Sequence, residues 1–450
     1  MEQSSLIKPF LGVAYPTISH GKGVYLYDKE GKDYLDASSG AVTSNIGHGV
    51  QEIADAMVQQ ASQVSFVYRS QFTSEAAEKL ARKIADLTNG KLPYSFFVNS
   101  GSEATETALK IAIQHWQEKG KPRKQKIISR WMSYHGITIG ALSMSGHPIR
   151  RERFTALLES YPSVAPPYCY RCPYQLDHRT CGMVCALELE SSIRRIGADN
   201  IAAFICEPVI GAAGGAIVPP NGYFQKLKKI CEEHDILFIA DEVMTGFGRT
   251  GKMLASEHWG VEPDIITFGK GISGGYTPIA AAAMTEKVLE PIMNGSRSIM
   301  GGHTLSANPL SCAIALAVLE YMEDNDLVEH SAKRGKELFN GLKKLAKKYS
   351  FIGDLRGRGL LIGMEFVQDK ETKEPFPKTL DVTAEIIKAG MNNGIILYPA
   401  SAGLDGINGA AIIISPPLII TKEESAELLR RLDSTLGEFK DKILPGYLPS

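Results

Sequence analysis

The sequence has almost no excess of charge of either sign, and it has no long hydrophobic run. Its 49 basic and 50 acidic residues give a formal net charge of −1 over 450 residues, a balance that argues against nucleic acid or an anionic membrane as the main partner. The longest apolar stretches are too short or too interrupted by proline to span a bilayer. The N-terminal residues show no basic start followed by an apolar core, so we expect no secretory signal and a cytoplasmic location.

Cysteine is scarce and odd in number, which argues against a disulfide framework. The seven cysteines in a chain of this size indicate a reducing compartment. Four of them form two close pairs, which is the pattern of a structural zinc site. The gap between the pairs is short and the first pair lacks the usual glycine turn, so reduced thiols or a facultative disulfide remain alternatives, and we assign no metal. These positions are Cys169, Cys172, Cys181 and Cys185.

Short apolar runs alternate with helix-like runs between residues 95 and 284. SFFVN, AAFICEP, LFIADEV and DIITFGK read as strands, with helical segments or loops between them. This alternation is typical of an α/β domain with a mostly parallel sheet, whose ligands lie beyond the carboxyl ends of the strands. Near the N-terminus, KGVYLYDKEGKDYLD predicts a hairpin that turns at residues 29–31. The segment after Gly353 predicts a smaller second lobe.

The first chemical feature is NSGSEATE, in which a predicted strand runs into Gly101 and Ser102 and a helix begins at once. Unpaired backbone N–H groups at a helix start, a hydroxyl and a residue without a side chain suit a phosphate. An ordinary serine N-cap, with an acidic residue three positions later, explains the same letters. Taken alone, this motif favours the cap.

Two further features follow neighbouring strands. LFIADEV ends in Asp241, whose carboxylate is costly in so apolar a run unless it meets a cation. DIITFGKGISGG ends in Lys270 between Gly269 and Gly271. The spacing of 29 positions suits two adjacent strands, so both side chains should lie at one edge of the sheet. An exposed acidic pair and a surface lysine in a turn are the alternatives.

A phosphate site, a carboxylate and a lysine at one edge form a specific combination. Pyridoxal 5'-phosphate (PLP) needs an anion site, an acid that keeps its ring nitrogen protonated, and an amine that forms an imine. On this hypothesis the glycines beside Lys270 let the cofactor ring approach the backbone.

The sequence resembles the class III, fold-type I PLP-dependent aminotransferases, a group that includes ω-amino-acid, ornithine and 4-aminobutyrate aminotransferases. The similarity runs from VYLYDKEGKDYLD to PPLIIT, nearly the whole chain, and six motifs occur in the family's order: NSGSEA, SYHG, CEPVIGAAGG, ADEVMTGFGRTG, FGKGISGG and GGHTLSANPL. The resemblance implies a large PLP-binding domain with a mostly parallel sheet and a smaller α+β domain built from both termini. We place these at residues 56–322 for the large domain, with 1–55 and 323–450 forming the small one.

The resemblance also implies roles for matching residues. Lys270 would form the Schiff base and carry the proton, Asp241 would pair with the pyridinium nitrogen, and Tyr134 would stack on the ring; these are the candidate catalytic residues. The other implied contacts hold the phosphate or wall the ring, and one comes from the neighbouring subunit, which makes a homodimer, or a tetramer built from it, part of the active site. They are Gly101 and Ser102 at the phosphate, Val243 on the ring face, His135 and Glu207 along the wall, and Thr304 at the neighbouring subunit's phosphate.

The implied reaction moves an amino group from an amino donor to a 2-oxo acid, pyruvate or 2-oxoglutarate, by a ping-pong mechanism. Many family members carry an arginine before the double proline near the C-terminus, where it binds a substrate carboxylate. Ile413 occupies that position here, and an aliphatic chain cannot replace a guanidinium. The donor is therefore expected to be an ω-amine, a β-amino acid or a related compound.

The substrate pocket is predicted only by analogy. Arg69 is a candidate for the missing arginine, and Tyr15, Phe66 and Tyr68 are candidate pocket-wall residues, although core packing explains each of them equally well. Met244 stands where some relatives place a glutamine beside the cofactor's phenolic oxygen.

Other chemistries share parts of the pattern. A racemase, an aminomutase or a phospho-lyase would use the same cofactor residues. GISGG also matches the Gly-x-Ser-x-Gly motif of serine hydrolases, with Ser273 as the nucleophile, but the strand delivers Lys270 first and no base is evident.

Overall fold

The computed structural model describes residues 5–446. The strands are β1 (Ile18–Lys22), β2 (Tyr25–Asp28), β3 (Asp33–Asp36), β4 (Tyr94–Val98), β5 (Lys126–Arg130), β6 (Ser163–Val164), β7 (Ile201–Cys206), β8 (Leu237–Asp241), β9 (Ile265–Phe268), β10 (Ala280–Met284), β11 (Ile352–Arg358), β12 (Leu361–Phe366), β13 (Ile395–Ile396), β14 (Tyr398–Ser401) and β15 (Ala410–Ile414).

The α-helices are α1 (Ser39–Val42), α2 (Gln51–Gln63), α3 (Glu75–Leu87), α4 (Gly101–Glu118), α5 (Ile139–Met144), α6 (Pro148–Arg151), α7 (Val184–Ile196), α8 (Tyr223–Glu233), α9 (Glu286–Asn294), α10 (Pro309–Asp324), α11 (Leu327–Lys348), α12 (Val382–Asn392) and α13 (Lys422–Glu438). Short 3₁₀ turns lie at Glu152–Leu157, Cys169–Arg171, Ala198–Asn200, Ala255–Trp259, Lys270–Ile272, Lys378–Leu380 and Leu444–Gly446, and a π-helical turn, Phe439–Ile443, follows α13.

A seven-stranded sheet forms the centre of the molecule, in the order β4-β10-β9-β8-β7-β5-β6. Its neighbours pair in parallel except around β10, which is antiparallel to both β4 and β9. Strands β7 and β8 are buried along their whole length, and this explains why their sequences, IAAFIC and LFIAD, are apolar throughout rather than alternating. The expected α/β class with a mostly parallel sheet is confirmed.

The parallel strands bring their carboxyl ends to one edge of this sheet. Strand β4 leads into α4 at Gly101, and β7 is followed by Glu207. Strand β8 ends at Asp241, and β9 leads through one residue to Lys270. A helix start, two carboxylates and an amine, contributed by distant parts of the sequence, therefore meet at this edge, which is where α/β sheets bind ligands.

Two four-stranded sheets complete the fold. The first has the order β1-β2-β3-β13 and contains the predicted hairpin, β2 and β3, which pair antiparallel. Strand β13 pairs in parallel with β3, so residues from near both ends of the chain share this sheet. The second, β11-β12-β15-β14, is antiparallel. The boundaries at residues 55 and 322 remain predictions; residue 322 falls inside α10.

The loop before α7 is tied to the second small sheet by one buried carboxylate. Glu365 of β12 accepts hydrogen bonds from the hydroxyl of Tyr168, from Nε of Arg171 at 2.6 Å and from a terminal nitrogen of Arg356 at 2.7 Å. The Glu365 side chain is fully buried. A buried carboxylate with three donors is the arrangement that makes such a charge tolerable.

None of the helices in the described part of the chain combines the length and the hydropathy that crossing a bilayer requires.

Candidate active site

Lys270 lies at the start of a 3₁₀ turn directly beyond strand β9, with a backbone φ of 46°. A side-chain-bearing residue in this left-handed region is strained, and such strain persists where the surrounding structure fixes the position. Burial lowers the pKa of Lys270 to about 8, although the carboxylates of Asp241 and Glu207 act in the opposite direction. The neutral amine is therefore much more accessible near physiological pH than that of a surface lysine.

The two glycines beside Lys270 are closely packed, and the packing is much tighter at Gly271 than at Gly269. A Cβ at Gly271 would lie 2.3 Å from Nδ2 of Asn45, and a Cβ at Gly269 would lie 3.2 Å from Cγ1 of Val243. Asn45 cannot move aside readily, because its amide donates to the carbonyl of Phe247 and accepts from Arg249. Gly271 is therefore needed for the turn to pack against Asn45, and not only to make room for a ligand.

Asp241 is held by three donors at the end of strand β8. Oδ2 lies 2.7 Å from Nδ1 of His135, and Oδ1 accepts hydrogen bonds at 3.1 Å from the hydroxyl of Thr267 and from the backbone N–H of Val243. The side chains of Asp241 and His135 are 3% and 0% exposed. A carboxylate so enclosed needs cationic or donor partners, and its position is fixed by them.

His135 is in turn fixed through its backbone. Its N–H donates to the hydroxyl of Ser145 at 2.8 Å, and its carbonyl accepts from the hydroxyl of Thr105 at 2.6 Å. Its other ring nitrogen, Nε2, is buried without a partner in the described part of the chain. These backbone hydrogen bonds fix the position from which the imidazole contacts Asp241.

The start of helix α4 forms one end of the site. Ser100 caps the helix by accepting from the N–H of Glu103, whose own carboxylate accepts from Asn99. The cap predicted as the alternative is therefore present, one residue before the predicted anion pair. It leaves Gly101 and Ser102, which both line the cavity, at the first two helical positions, where backbone N–H groups have no intrahelical partner.

A Cβ could not be added at the two glycines of this end. At Gly101 it would lie 2.8 Å from Cγ1 of Val243, and at Gly136, where φ is 129°, it would lie 2.5 Å from Oγ of Ser102. Oγ of Ser102 accepts a hydrogen bond from the N–H of Ile137 at 3.0 Å. The backbone here is closely packed and open only towards the cavity.

Tyr134 and Glu207 form one wall of the site and are joined to each other. Oε2 of Glu207 accepts from the N–H of Tyr134 at 3.2 Å, and Oε1 accepts from the N–H of Gly211 at 3.0 Å. Burial raises the pKa of Glu207. The carboxylate therefore acts as a structural brace for this wall, while its charge still reaches Lys270.

The predicted groups surround one cavity of about 170 Å³ at the carboxyl edge of the large sheet. The structure brings together eight of the nine predicted cofactor residues; the ninth, Thr304, is exposed on the segment before α10. The cavity is lined by Gly101, Ser102, Tyr134, His135, Gly136, Glu207, Ala212, Asp241, Val243, Met244 and Lys270.

None of the five predicted substrate residues lines this cavity. Ile413 is fully buried inside strand β15, opposite Gly363 and Tyr398. Arg69 donates to the carbonyl of Gly301 at 2.6 Å, and its guanidinium lies over the ring of Phe96. The remaining three are partly exposed, by 39%, 43% and 54% for Tyr15, Phe66 and Tyr68.

The sequence reasoning missed several residues that the structure places at the site. Thr267 donates to Asp241, Ala212 lines the cavity, and Arg150 lies beside Tyr134. Thr267 carried a readable signal, because it is the one polar residue of the apolar strand IITF. Arg150 had no comparable signal.

Ser273 is not arranged as a nucleophile. Its hydroxyl donates to the carbonyl of Thr277 at 2.7 Å, and the residue is 2% exposed.

The four clustered cysteines are free thiols. Burial, together with the other thiols of the cluster, raises the pKa of Cys169 and raises that of Cys185 to about 12. No group of three or more His, Cys, Asp or Glu residues within residues 5–446 has an arrangement that could hold a metal ion.

Known proteins resemble this chain over nearly its whole length. The family model for class III aminotransferases matches residues 12–436. An uncharacterized aminotransferase of Bacillus subtilis, YodT, is 51% identical over 440 residues, covering 98% of this chain and 99% of the relative.

Two solved structures extend the comparison. The (S)-enantioselective omega-transaminase of Thermomicrobium roseum superposes with a TM-score of 0.89 at 37% identity, covering 95% of this chain and 93% of the other. An amine transaminase from an uncultivated Pseudomonas species, in its PLP-bound form, superposes with a TM-score of 0.91 at 34% identity, covering 97% and 99%.

Proposed function

The chain belongs to the class III aminotransferase family, whose members depend on PLP, and from this premise we propose its donor class, acceptor class and site roles. It moves an amino group from an ω-amine, a β-amino acid or a related donor to a 2-oxo acid, pyruvate or 2-oxoglutarate, in a ping-pong reaction. The observation that carries the proposal is the cavity in which Lys270, Asp241 and the start of helix α4 meet.

The residues around the cavity fit PLP. The first turn of α4 offers unpaired N–H groups to a phosphate, and the glycines there admit no side chain into the cradle. Asp241 provides a fixed carboxylate for a protonated ring nitrogen, and Val243 and Tyr134 provide an apolar face on each side. Lys270 provides an amine for the cofactor's aldehyde. When bound, PLP supplies the electron-withdrawing ring that acidifies the C–H bond beside the substrate nitrogen.

Lys270 and Asp241 have separate roles in the proposed reaction. With PLP bound, Nζ of Lys270 would remove the proton beside the substrate nitrogen and later give it up again, and its lowered pKa suits it to act as a base near neutral pH. Asp241 would hold the cofactor's ring nitrogen in its protonated form, and His135 and Thr267 fix the positions of the Asp241 carboxylate oxygens. Tyr134 and Glu207 close the wall and limit the entry of water.

The donor class follows from the missing arginine. The family position before the double proline is Ile413, so no guanidinium from that strand meets an α-carboxylate. The omega-transaminase and amine-transaminase names of the two structural neighbours support the same class of donor.

A half-reaction screen tests the proposal. The yellow holoenzyme is mixed with single amines, and the loss of its visible absorbance is followed as pyridoxamine 5'-phosphate forms. We expect ω-amines and β-amino acids to bleach the enzyme and simple α-amino acids to do so weakly. Bleaching by α-amino acids alone would contradict the donor class, and release of ammonia without a 2-oxo acid would indicate a lyase instead.

We further propose that the active assembly is a homodimer in which Thr304 contacts the neighbouring subunit's cofactor. Exposed apolar side chains beside it, Met300 at 76% and Leu305 at 51%, support an interface. The test mixes protomers that carry Lys270→Ala with protomers that carry Thr304→Val, because one site of each mixed dimer would be intact. Recovery of wild-type cofactor affinity at that site is expected; no recovery, or a monomer in solution, would contradict the proposal.

A further inference from the structure

The carboxylate of a 2-oxo acid needs a cationic partner, and the residues that line the cavity provide little positive charge. Among the residues that line the cavity, Lys270 is the only cation, while Glu207 and Asp241 carry the opposite charge. Lys270 is engaged in the chemistry, so it cannot also hold the carboxylate. A second cation is therefore needed at the rim.

Arg150 lies at this rim. It belongs to the short helix α6, and its Cζ atom is 5.0 Å from the centroid of the Tyr134 ring. It is exposed, and within residues 5–446 it makes no hydrogen bond or ion pair. The adjacent Arg151 is different, because one of its terminal nitrogens donates to three carbonyls, those of Leu142, Ser143 and Ser145, at 2.8, 3.1 and 2.8 Å. Arg151 therefore holds this segment in place, whereas the guanidinium N–H groups of Arg150 make no hydrogen bond to the described residues.

The charge of Arg150 reaches the site. After burial, which is the larger effect, it lowers the pKa of His147, which falls to about 4, so this imidazole is neutral at physiological pH. It also acts on Lys270 and on the phenol of Tyr398.

The other arginines near the site are committed elsewhere. Arg130 is fully buried and donates to the carbonyl of Glu207, and Arg249 is fully buried and donates to carbonyl groups and to Asn45. Arg69 is bound to the carbonyl of Gly301 and lies away from the cavity of its own chain.

We propose that Arg150 binds the carboxylate of the 2-oxo acid at the cavity rim beside Tyr134, in place of the arginine that strand β15 lacks. The inference rests on the aminotransferase function proposed above. A planar guanidinium pairs with a carboxylate through two parallel hydrogen bonds, and the Tyr134 ring beneath it keeps the fork near the rim. The same contact would favour donors whose carboxylate reaches this side of the cavity, such as β-amino acids.

The test compares two acceptors that differ in one group. Enzyme loaded with pyridoxamine 5'-phosphate is mixed with pyruvate or with propanal, which has no carboxylate, and the return of visible absorbance is followed. Arg150→Ala is expected to raise the half-saturating concentration of pyruvate about tenfold or more, the range of a charge-assisted bond of this kind, and to leave that of propanal unchanged. Arg150→Lys should lie between the two, since a point charge cannot form the paired bonds.

Arg153→Ala is the matched control, because Arg153 is an exposed arginine in the same basic segment, and it should behave as wild type with both acceptors. Equal effects of Arg150→Ala on pyruvate and propanal, or no effect on either, would overturn the inference. A wild-type enzyme that reacts with neither of these acceptors, nor with 2-oxoglutarate, would instead overturn the proposed function.

Discussion

Nδ1 of His135 lies 2.7 Å from Oδ2 of Asp241, and both side chains are closed off from solvent. Thr267 and the N–H of Val243 hold the other oxygen. Because these partners come from three different segments of the chain, the carboxylate is placed before any ligand arrives. Preorganised charge of this kind is the largest single contribution in many active sites.

Replacing Asp241 with asparagine tests that charge. Asp241→Asn retains the size of the side chain but cannot stabilise a protonated ring nitrogen, so the rate of the amine half-reaction should fall on the order of 100- to 1000-fold. Stopped-flow loss of visible absorbance measures it. Thermal unfolding should show that the variant is folded, and a folded, cofactor-loaded variant with more than half of the wild-type rate would contradict the role.

The lowered pKa of Lys270 predicts how the apoenzyme takes up its cofactor. Below its folded pKa of about 8 the amine is mostly protonated and cannot attack an aldehyde. The rate at which added PLP generates visible absorbance should therefore rise about tenfold per pH unit below pH 8 and level off above it. A rate that keeps rising towards the ordinary lysine value of 10.5 would contradict the shift.

The same experiment with Asp241→Asn is a control for which the direction of the pH shift is predicted. The Asp241 carboxylate raises the pKa of Lys270 against the effect of burial. Its removal should move the onset of the plateau to lower pH, and a shift to higher pH would show that another charge controls the lysine.

Gly271→Ala should destabilise the protein. The added Cβ would lie 2.3 Å from Nδ2 of Asn45, which is fixed by Phe247 and Arg249. Overpacking of this size costs about 1–3 kcal/mol in free energy of unfolding, measured by urea denaturation. Gly437→Ala serves as the control, since its Cβ would meet only Oη of Tyr349 at an ordinary 3.5 Å. Equal stability of the two variants would show that Asn45 can move aside.

Removing the charge of Glu365 should cause a larger loss of stability. Glu365→Gln leaves the partly buried Arg356 and Arg171 without their shared, fully buried carboxylate, which should reduce the free energy of unfolding by about 3–5 kcal/mol. Asp354→Asn, which removes a partly exposed partner of Arg356, should cost about 1 kcal/mol or less. Similar urea midpoints for the two variants would show that the buried carboxylate does not hold the loop to the small sheet.

The edge of the large sheet could be predicted from the sequence because it depends on strand order alone. Once LFIAD and DIITF are recognised as parallel neighbours, Asp241 and Lys270 must emerge together. The contact between His135 and Asp241 could not be predicted in this way, since it joins loops whose approach is set by tertiary packing. Arg150 was also missed, because its helix is too short to show a periodic sequence pattern.

The substrate residues show a different limit. Ile413 was placed by register against a family motif, and the structure puts it inside a buried strand rather than at the cavity. Arg69 and Thr304 lie on surface segments whose partners are not in the same cavity. The contact of Thr304 with a neighbouring subunit's cofactor therefore remains a prediction from the family resemblance.

The most direct test of the account is reduction of the yellow holoenzyme with borohydride, followed by proteolysis and mass spectrometry of the peptide that contains Lys270. The account predicts one reduced phosphopyridoxyl group per chain, attached to Nζ of Lys270, and none in Lys270→Ala. Attachment at another lysine, or purified enzyme that stays colourless with added PLP, would contradict it.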